Sequence, residues 1–280
     1  MVLLIMPFEQ RAVSAEEAKG LKENDQITHI DINEYDFYLE VRKMNLIDAV
    51  KSFGISDEEY NAICAVETEI LELSKQSDAD LYDRGMSSHQ IFIIREYDGS
   101  RIEENPQLRA VLATLSMTLS KISCYSSYAS VKAEWSWNSK PLIMTVDYYE
   151  TVPCRWKAYN SYGAQITATY SSSGSYCYVK YYNGTSVYAS QAQSIIVGNA
   201  STYVYCPFHS AINDGENNCW AKSGYMVVKV TGSNINNVDF GFGYNHGISS
   251  TIPTITLDSN LGFIYSNGYE MAEQSITLRV

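Results

Sequence analysis

Residues 131–137 read Val-Lys-Ala-Glu-Trp-Ser-Trp, with an apolar side chain at every second position and polar side chains between. Residues 238–244, Val-Asp-Phe-Gly-Phe-Gly-Tyr, and residues 276–280, Ile-Thr-Leu-Arg-Val, alternate in the same way. Successive side chains of a β-strand point to opposite faces of the sheet, so each stretch predicts a strand with one buried face. Trp135 and Trp137 share a face, and we expect both in the core.

The turns between such stretches predict an antiparallel sandwich. Asn183-Gly184 lies between two strand-like segments, and both residue types tolerate the positive φ angles of a tight type I′ hairpin turn. Strands at short intervals without intervening helices are typical of a sandwich or barrel. We expect eight to ten strands after residue 125, ending in a strand that uses the last residues of the chain.

The front of the chain follows a helical period instead. Ser56 with Glu59, and Ser87 with Gln90, have the spacing of capping boxes. They predict one helix over residues 56–75 and a second from Ser87 to near Gly99. Pro106 suits the first turn of a third helix. The first helix carries an apolar stripe at three- and four-residue steps, formed by Ile63, Val66, Ile70 and Leu73.

Charge divides the 280 residues in the same place. Residues 1–120 hold 23 acidic and 11 basic side chains, a net charge of −12, whereas residues 121–280 hold 9 of each. The sequence therefore predicts an α+β protein: an acidic helical region at 16–120, followed by a tyrosine-rich antiparallel β-sandwich domain at 125–280. No cluster of Lys and Arg is present, which argues against a nucleic-acid partner.

Residues 1–15 resemble the end of a secretory signal peptide. An apolar start is followed by Val13-Ser14-Ala15, small residues at the spacing of a cleavage site, and then by acidic residues. The alternative is a buried N-terminal strand. We expect a secreted, extracellular protein, and no apolar run reaches the ~18 residues of a membrane helix.

The sequence offers no recognisable catalytic or metal-binding motif. We expect Asp31, Glu34, Asp36 and Glu40 to form a solvent-facing acidic surface, and His246 to lie in a turn after the aromatic strand. No catalytic residue, metal ligand or cofactor is predicted, and a non-enzymatic protein is favoured.

Four cysteines of the rear half suit an oxidising compartment. Cys206 with Cys219 would close a short loop, and Cys154 with Cys177 is the second predicted bridge. Isolated reduced thiols are the alternative.

Aromatic residues provide two candidate sites. Aromatic side chains that stack on a glycan or protein would form a binding platform, for which the candidates are Trp156, Trp220, Tyr181 and Tyr182. Lys180 is the only charged residue between Ala158 and Asn213, so residues 164–191 also fit a hairpin that enters a membrane. The residues of this membrane-active hairpin would be Tyr170, Tyr176, Tyr178, Lys180 and Tyr188.

Five short motifs carry a resemblance to a known group of proteins: residues 97–100 (Tyr-Asp-Gly-Ser), 108–110 (Leu-Arg-Ala), 131–137, 140–142 (Lys-Pro-Leu) and 243–246 (Gly-Tyr-Asn-His). With them the chain resembles a family of uncharacterised secreted proteins from Gram-positive, clostridia-like bacteria. The resemblance implies secretion and a helical front on a β-rich rear, and large secreted bacteriocins of such bacteria are a further connection. It implies no activity.

The sequence therefore favours a secreted, non-enzymatic β-sandwich that binds a glycan or protein at a cell surface or in its surroundings. The alternative is a secreted membrane-active protein, either antibacterial or pore-forming. The sequence does not indicate an oligomeric state.

Overall fold

The computed structural model describes residues 27–280 except 54, 56, 143–147, 199–201, 214–217, 247–251, 253–254, 258–260 and 266–268. Six short α-helices lie in the front of this described chain: α1 Glu34–Arg42, α2 Leu46–Phe53, α3 Asp57–Cys64, α4 Val66–Leu73, α5 Asp78–Asp83 and α6 Ser88–Arg95. Two short 3-10 helices follow, at Ile102–Glu104 and Pro106–Ala110.

Sixteen strands are formed by the described residues. They are β1 Ile27–Asn33, β2 Thr114–Tyr125, β3 Tyr128–Trp137, β4 Tyr149–Tyr159, β5 Gln165–Ile166, β6 Ala168–Tyr170, β7 Tyr176–Asn183, β8 Ser186–Gln193, β9 Ile196–Val197, β10 Tyr203–His209, β11 Ala211–Asn213, β12 Asn218–Gly232, β13 Asn237–His246, β14 Ile255–Leu257, β15 Phe263–Tyr265 and β16 Tyr269–Arg279. The rear half thus contains more strands than the eight to ten expected, several of them two or three residues long. The last strand ends one residue before the C-terminal Val280, as predicted.

The strands form two antiparallel sheets and a separate hairpin. The larger sheet has the order β1-β2-β3-β12-β7-β8, with β6 and β11 paired to β12. The smaller sheet has the order β16-β13-β4-β10-β9, with β5 paired to β4. The hairpin β14–β15 lies on the outer side of the smaller sheet, where the Gly262 carbonyl accepts a hydrogen bond of 3.1 Å from the Arg155 guanidinium.

Aromatic side chains from both sheets fill the space between them. Trp135 of β3 stacks on Phe208 of β10, with ring centroids 5.6 Å apart and planes at 16°. Trp137 meets Tyr244 edge to face and donates a hydrogen bond of 3.2 Å to its hydroxyl. Both tryptophans are buried, which confirms the predicted inward face of residues 131–137 and a sandwich of two sheets.

The first strand of the chain also belongs to the larger sheet. β1 pairs with β2 along its whole length, so the region predicted to be helical contributes one strand and the start of a second. The Thr28 hydroxyl donates a hydrogen bond of 3.3 Å to Gln274 of β16 in the smaller sheet. The two sheets therefore meet along this side of the sandwich.

The helices share one continuous core with the sandwich. The apolar stripe of the predicted helix over 56–75 is buried at all four positions. That helix is divided into α3 and α4 at Ala65, where the backbone leaves helical geometry, and Ser56 lies outside the described residues. The capping box of Ser87 and Gln90 is confirmed, although α6 ends at Arg95 rather than near Gly99. After Pro106 only the 3-10 helix forms.

Glu34, expected on a solvent-facing acidic surface, is fully buried where α1 meets the sandwich. Its carboxylate accepts hydrogen bonds from the Tyr38 hydroxyl at 2.8 Å, the Ala113 amide at 3.0 Å and the Leu142 amide at 3.2 Å. Burial raises the pKa of Glu34, and these donors act in the opposite direction. The carboxylate thus joins the helical layer to residues on either side of β2 and β3.

The hairpin turn between β7 and β8 lies one residue later than predicted. Asn183 still pairs with Ser186, so the two central residues are Gly184 and Thr185. Gly184 has a φ of 58°, and Thr185 has no positive φ, which is the pattern of a type II′ turn rather than type I′. A Cβ at Gly184 would lie 2.9 Å from the Asp83 carboxylate, so α5 packs closely against this turn.

We predict that Glu34→Ala destabilises the fold strongly. The substitution leaves one hydroxyl and two amides without their acceptor, and each unsatisfied buried donor costs about 1–3 kcal/mol. We expect the free energy of unfolding in urea to fall by about 3 kcal/mol or more. Glu40→Ala, on the same helix but exposed and bonded only to Lys43, should change it by less than about 0.5 kcal/mol. Equal effects of the two substitutions would contradict the role given to Glu34.

Candidate ligand-binding surface

The outward-facing residues of the larger sheet form rows across its strands. Burial of Trp135 and Trp137 turns Glu134 and Ser136 outward on β3, where both are exposed. Strand register then extends the row of Ser136 across β2, β3, β12 and β7. This row consists of Ser116, Ser136, Ser223 and Lys180. With about 4.8 Å between neighbouring strands, it spans about 14 Å.

A second row runs beside the first and carries larger side chains. Its members, on the same four strands, are Thr118, Glu134, Tyr225 and Tyr178. A groove of about 230 Å³ lies over both rows. The groove exists because the serine side chains of the first row are short and form its floor. Glu134 and Tyr225 of the second row project above that floor.

Three tyrosines form a platform at one side of the groove. Tyr178 and Tyr225 stack with ring centroids 5.6 Å apart and planes at 26°. Tyr176 stands edge-on to both rings, at 6.2 and 6.0 Å, and remains 44% exposed. We call Tyr176, Tyr178 and Tyr225 the tyrosine platform. Offset stacking and edge-to-face contact are the favoured aromatic geometries, so the platform is held in shape by its own rings.

Charged groups stand at separated points around the groove. Lys132 forms an ion pair with Glu134 at 2.6 Å and lies 4.9 Å from the centre of the Tyr225 ring. On β1, Asp31 accepts a hydrogen bond from the Ser116 hydroxyl, which is the main cause of its lowered pKa. Lys180 supplies a positive charge at the other end of the serine row. Hydroxyls, aromatic faces and separated charges are the chemistry of a binding surface.

The platform predicted from the sequence lies mostly in the interior. Trp156 is 6% exposed and donates a hydrogen bond of 2.8 Å to the Ala168 carbonyl, and Trp220 is 2% exposed. Tyr181 is buried and donates to the His209 carbonyl at 3.0 Å. Tyr182 is half-buried, with the Lys222 ammonium 5.3 Å from its ring centre. None of the four joins the tyrosine platform: the side chains of Trp156, Trp220 and Tyr181 are covered by other parts of the fold, and Tyr182 lies beside Lys222.

The residues predicted for a membrane-active hairpin lie closer to the surface described above. Tyr176, Tyr178 and Lys180 occupy the outer face of β7, and Tyr188 is 44% exposed on β8. Tyr170 lies on the short strand β6, paired to β12. The inner face of β7 is buried in the core at Cys177, Val179 and Tyr181. Membrane insertion of this hairpin stays a prediction.

The sequence did not identify Tyr225, or the three serines of the first row, as residues of a binding surface. Tyr178 and Tyr225 are separated by 46 residues and meet only through the register of β7 and β12. The alternation around Ser223, Gly224 and Tyr225 in β12 is the sequence signal that could have placed them on an outward face.

All six cysteines lie in the described part of the chain. All six lack a disulfide, and Cys177 of the larger sheet contacts Cys206 of the smaller sheet across the core. Burial raises the pKa of Cys177 and of Cys154. The predicted pairs Cys206–Cys219 and Cys154–Cys177 stay predictions of oxidation chemistry, and in this structure the neighbours are Cys177 and Cys206.

A buried polar cluster joins the last residue of β13, the start of β4 and the residue that follows β10 in the smaller sheet. His246, expected in a turn, is the last residue of β13 and is fully buried. Its Nδ1 lies 2.6 Å from the Glu150 carboxylate, and the same oxygen accepts a hydrogen bond of 2.9 Å from the Ser210 hydroxyl. Because the serine bonds to the carboxylate rather than to the histidine, the cluster does not have the Ser-His-acid order of a catalytic triad.

Neither a metal cluster nor a membrane-spanning helix is found within the described part of the chain. No three His, Cys, Asp or Glu side chains there are grouped to hold a metal ion. No helix among those residues has the length and apolar composition needed to cross a bilayer.

The chain matches no protein-family model and no curated protein. Among solved structures it is similar to the collagen-binding domain of a Staphylococcus aureus adhesin, at 9% identity and a TM-score of 0.26 over 55% of this chain and 97% of that one. It is also similar to the KRT10-binding region domain of the pneumococcal serine-rich repeat protein PsrP, at 14% identity and a TM-score of 0.27 over 59% and 89%. Clostridium perfringens delta-toxin is similar at 10% identity and a TM-score of 0.18 over 59% and 77%. Superpositions this loose assign neither a family nor a function.

We predict that thiol labelling distinguishes the observed cysteine arrangement from the predicted bridges. Only Cys64 is exposed, so a maleimide should label one thiol per native chain rapidly and all six after unfolding. The measurement is mass spectrometry of the labelled chain, with and without prior reduction. Two labelled thiols in the unfolded, unreduced protein would instead show that two bridges form.

Proposed function

We propose that this chain is a secreted, non-enzymatic binding module that recognises an extracellular glycan or protein through the outer face of its larger sheet. The observation that carries the proposal is the tyrosine platform beside the serine-floored groove. Tyrosine provides a large contact area with few rotatable bonds, and its hydroxyl adds a hydrogen bond. Both properties favour binding of a ligand that combines apolar faces with hydroxyl or amide groups.

The weak charge of this surface supports an uncharged or mixed ligand. Glu134 is already paired with Lys132, and Asp31 is bonded to Ser116, so few ionic groups are left to dominate recognition. The hydroxyls of Ser136 and Ser223 can donate or accept, which suits sugar hydroxyls and peptide groups equally.

We expect the double substitution Tyr178→Ser and Tyr225→Ser to weaken ligand binding at least tenfold. Loss of two aromatic contacts of about 0.5–1.5 kcal/mol each, beyond their buried area, accounts for that factor. The full chain is first applied to arrays of glycans and extracellular proteins and to intact Gram-positive cells. The dissociation constant for the retained ligand is then measured for each variant.

Tyr162→Ser is the matched control, since Tyr162 is 93% exposed in a turn away from the groove. Its affinity should equal that of the unmodified chain. A control that binds as weakly as the double variant, or a double variant that binds normally, would contradict this choice of surface.

The second candidate function, membrane permeabilisation, has one supporting observation. β8 is the edge strand of the larger sheet, and six of its eight residues are exposed. The outer strand of the β7–β8 hairpin is therefore largely exposed, whereas β7 is held by its pairing with β12.

We expect the full chain to release no dye from loaded vesicles at nanomolar concentration, because the inner face of β7 is part of the core. If the full chain releases dye and Tyr188→Lys abolishes that release, the chain is a membrane-active protein rather than a binding module. Tyr162→Lys, which adds the same charge outside the hairpin, is the control for general electrostatic effects.

A further inference from the structure

Two partly buried cations lie close together where the helices meet the sandwich. Arg84 caps the C-terminal end of α5, and Lys140 follows β3. The Lys140 amide donates a hydrogen bond of 2.9 Å to the Arg84 carbonyl, so the two residues are joined through their backbones. Desolvation, followed by the nearby Arg84 charge, lowers the pKa of Lys140 to about 8.

A third cation lies beside the turn that follows Arg84. The turn residue Gly85 has a φ of 82°, and a Cβ there would lie 3.6 Å from each of the Lys222 ammonium, the Ser139 Cα and the Trp220 ring. Lys222 also stands 5.7 Å from the centre of the Trp220 ring, and desolvation lowers its pKa. Arg84, Lys140 and Lys222 are referred to below as the cationic cluster.

None of these three side chains forms an ion pair with the described residues. The Nε of Arg84 is buried and has no hydrogen-bond partner. Elsewhere the chain treats a buried arginine differently: Arg42, 11% exposed, is bonded to Glu67 at 2.6 Å and to Glu103 at 3.1 Å. Buried guanidinium groups are normally paired in this way, so an unpaired one requires an explanation.

The nearby carboxylates do not fill that role. Glu34 and Glu69 attract Arg84 from a distance. Glu34 is already the acceptor for Tyr38, Ala113 and Leu142, and Glu69 is exposed to solvent. Arg84 and Lys140 are thus largely desolvated without a directly bonded carboxylate in the described part of the chain, and Arg84 is stabilised only from a distance by Glu69 and Glu34.

We propose that the cationic cluster is a binding site for an oxyanion, namely a carboxylate, sulfate or phosphate group. Arginine and lysine recognise such groups through charge-assisted hydrogen bonds, and the Nε of Arg84 is a buried donor without a partner among the described residues. Lys222 directly precedes Ser223, whose side chain lines the groove, so the site lies beside the groove. The inference does not depend on the proposed function of the tyrosine platform.

The test is a calorimetric titration of the full chain with sodium sulfate, phosphate and acetate at constant ionic strength held with chloride. A second arm compares glucuronic acid with glucose, which separates a free inorganic ion from an acidic group carried by a sugar. We expect saturable binding of at least one oxyanion and no binding of glucose. Binding should weaken as the pH rises above about 8, because Lys140 then loses its charge.

Lys140→Met and Lys51→Met form the matched pair of variants, since Lys51 is exposed on α2. Lys140→Met should weaken oxyanion binding at least tenfold. In chloride alone it should raise the melting temperature, because it removes one of two mutually repelling buried charges. Lys51→Met should change neither quantity.

The proposal can fail on either measurement, the oxyanion titration or the melting temperature in chloride. No binding of any oxyanion up to 50 mM, or equal losses in Lys140→Met and Lys51→Met, would overturn it. A lower melting temperature for Lys140→Met in chloride would also overturn it, since that result would show that Lys140 is already satisfied within the fold.

Discussion

The contact of Trp135 with Phe208 across the two sheets determines which face of the larger sheet meets solvent. Once Trp135 and Trp137 are inside, strict alternation along β3 places Glu134 and Ser136 outside. Antiparallel register then carries this choice to the neighbouring strands. A slip of one residue would exchange the two faces and remove the groove together with the core, so packing and surface chemistry are fixed by the same constraint.

The helical layer is attached to this sandwich by two contrasting polar arrangements. At Glu34 a buried carboxylate receives three donors, from α1, from the residue before β2 and from the segment after β3, and these hydrogen bonds offset part of its desolvation. At Gly85 the helices cover Trp220 and bring Arg84 and Lys140 together without an acceptor. A buried charge is tolerated when hydrogen bonds replace water, and the first arrangement satisfies that condition whereas the second does not.

Periodicity in the sequence was sufficient to predict a helical region on a β-sandwich and the inward face of β3. The spacing of a capping box was sufficient to predict the start of α6. Neither was sufficient for the candidate site. Tyr178, Tyr225 and Ser136 come from three strands, and their proximity depends on register, which no single segment encodes. Trp156 was misplaced because it lies on the inward face of β4, with Cys154 and Ala158 in the core between the sheets. The opposite face of β4 is buried as well, since the hairpin β14–β15 covers the outer side of the smaller sheet. Alternation within one strand cannot show which face points inward when both faces are covered.

The net charge of the whole chain and the charges close to one site give different information about what this protein can bind. A net charge of −12, carried by the front half, describes the long-range field and argues against polyanionic partners such as nucleic acid. The charge of the ligand that one site prefers depends instead on the ionic groups within a few ångströms of it, because surface fields are screened beyond about 8 Å at physiological ionic strength. The acidic residues of the front half are mostly exposed or already bonded, and the three cations at the junction are neither fully exposed nor paired. An acidic chain can therefore present a local site for one negative group, which is the role proposed for Arg84, Lys140 and Lys222 at the junction of its charged and neutral halves.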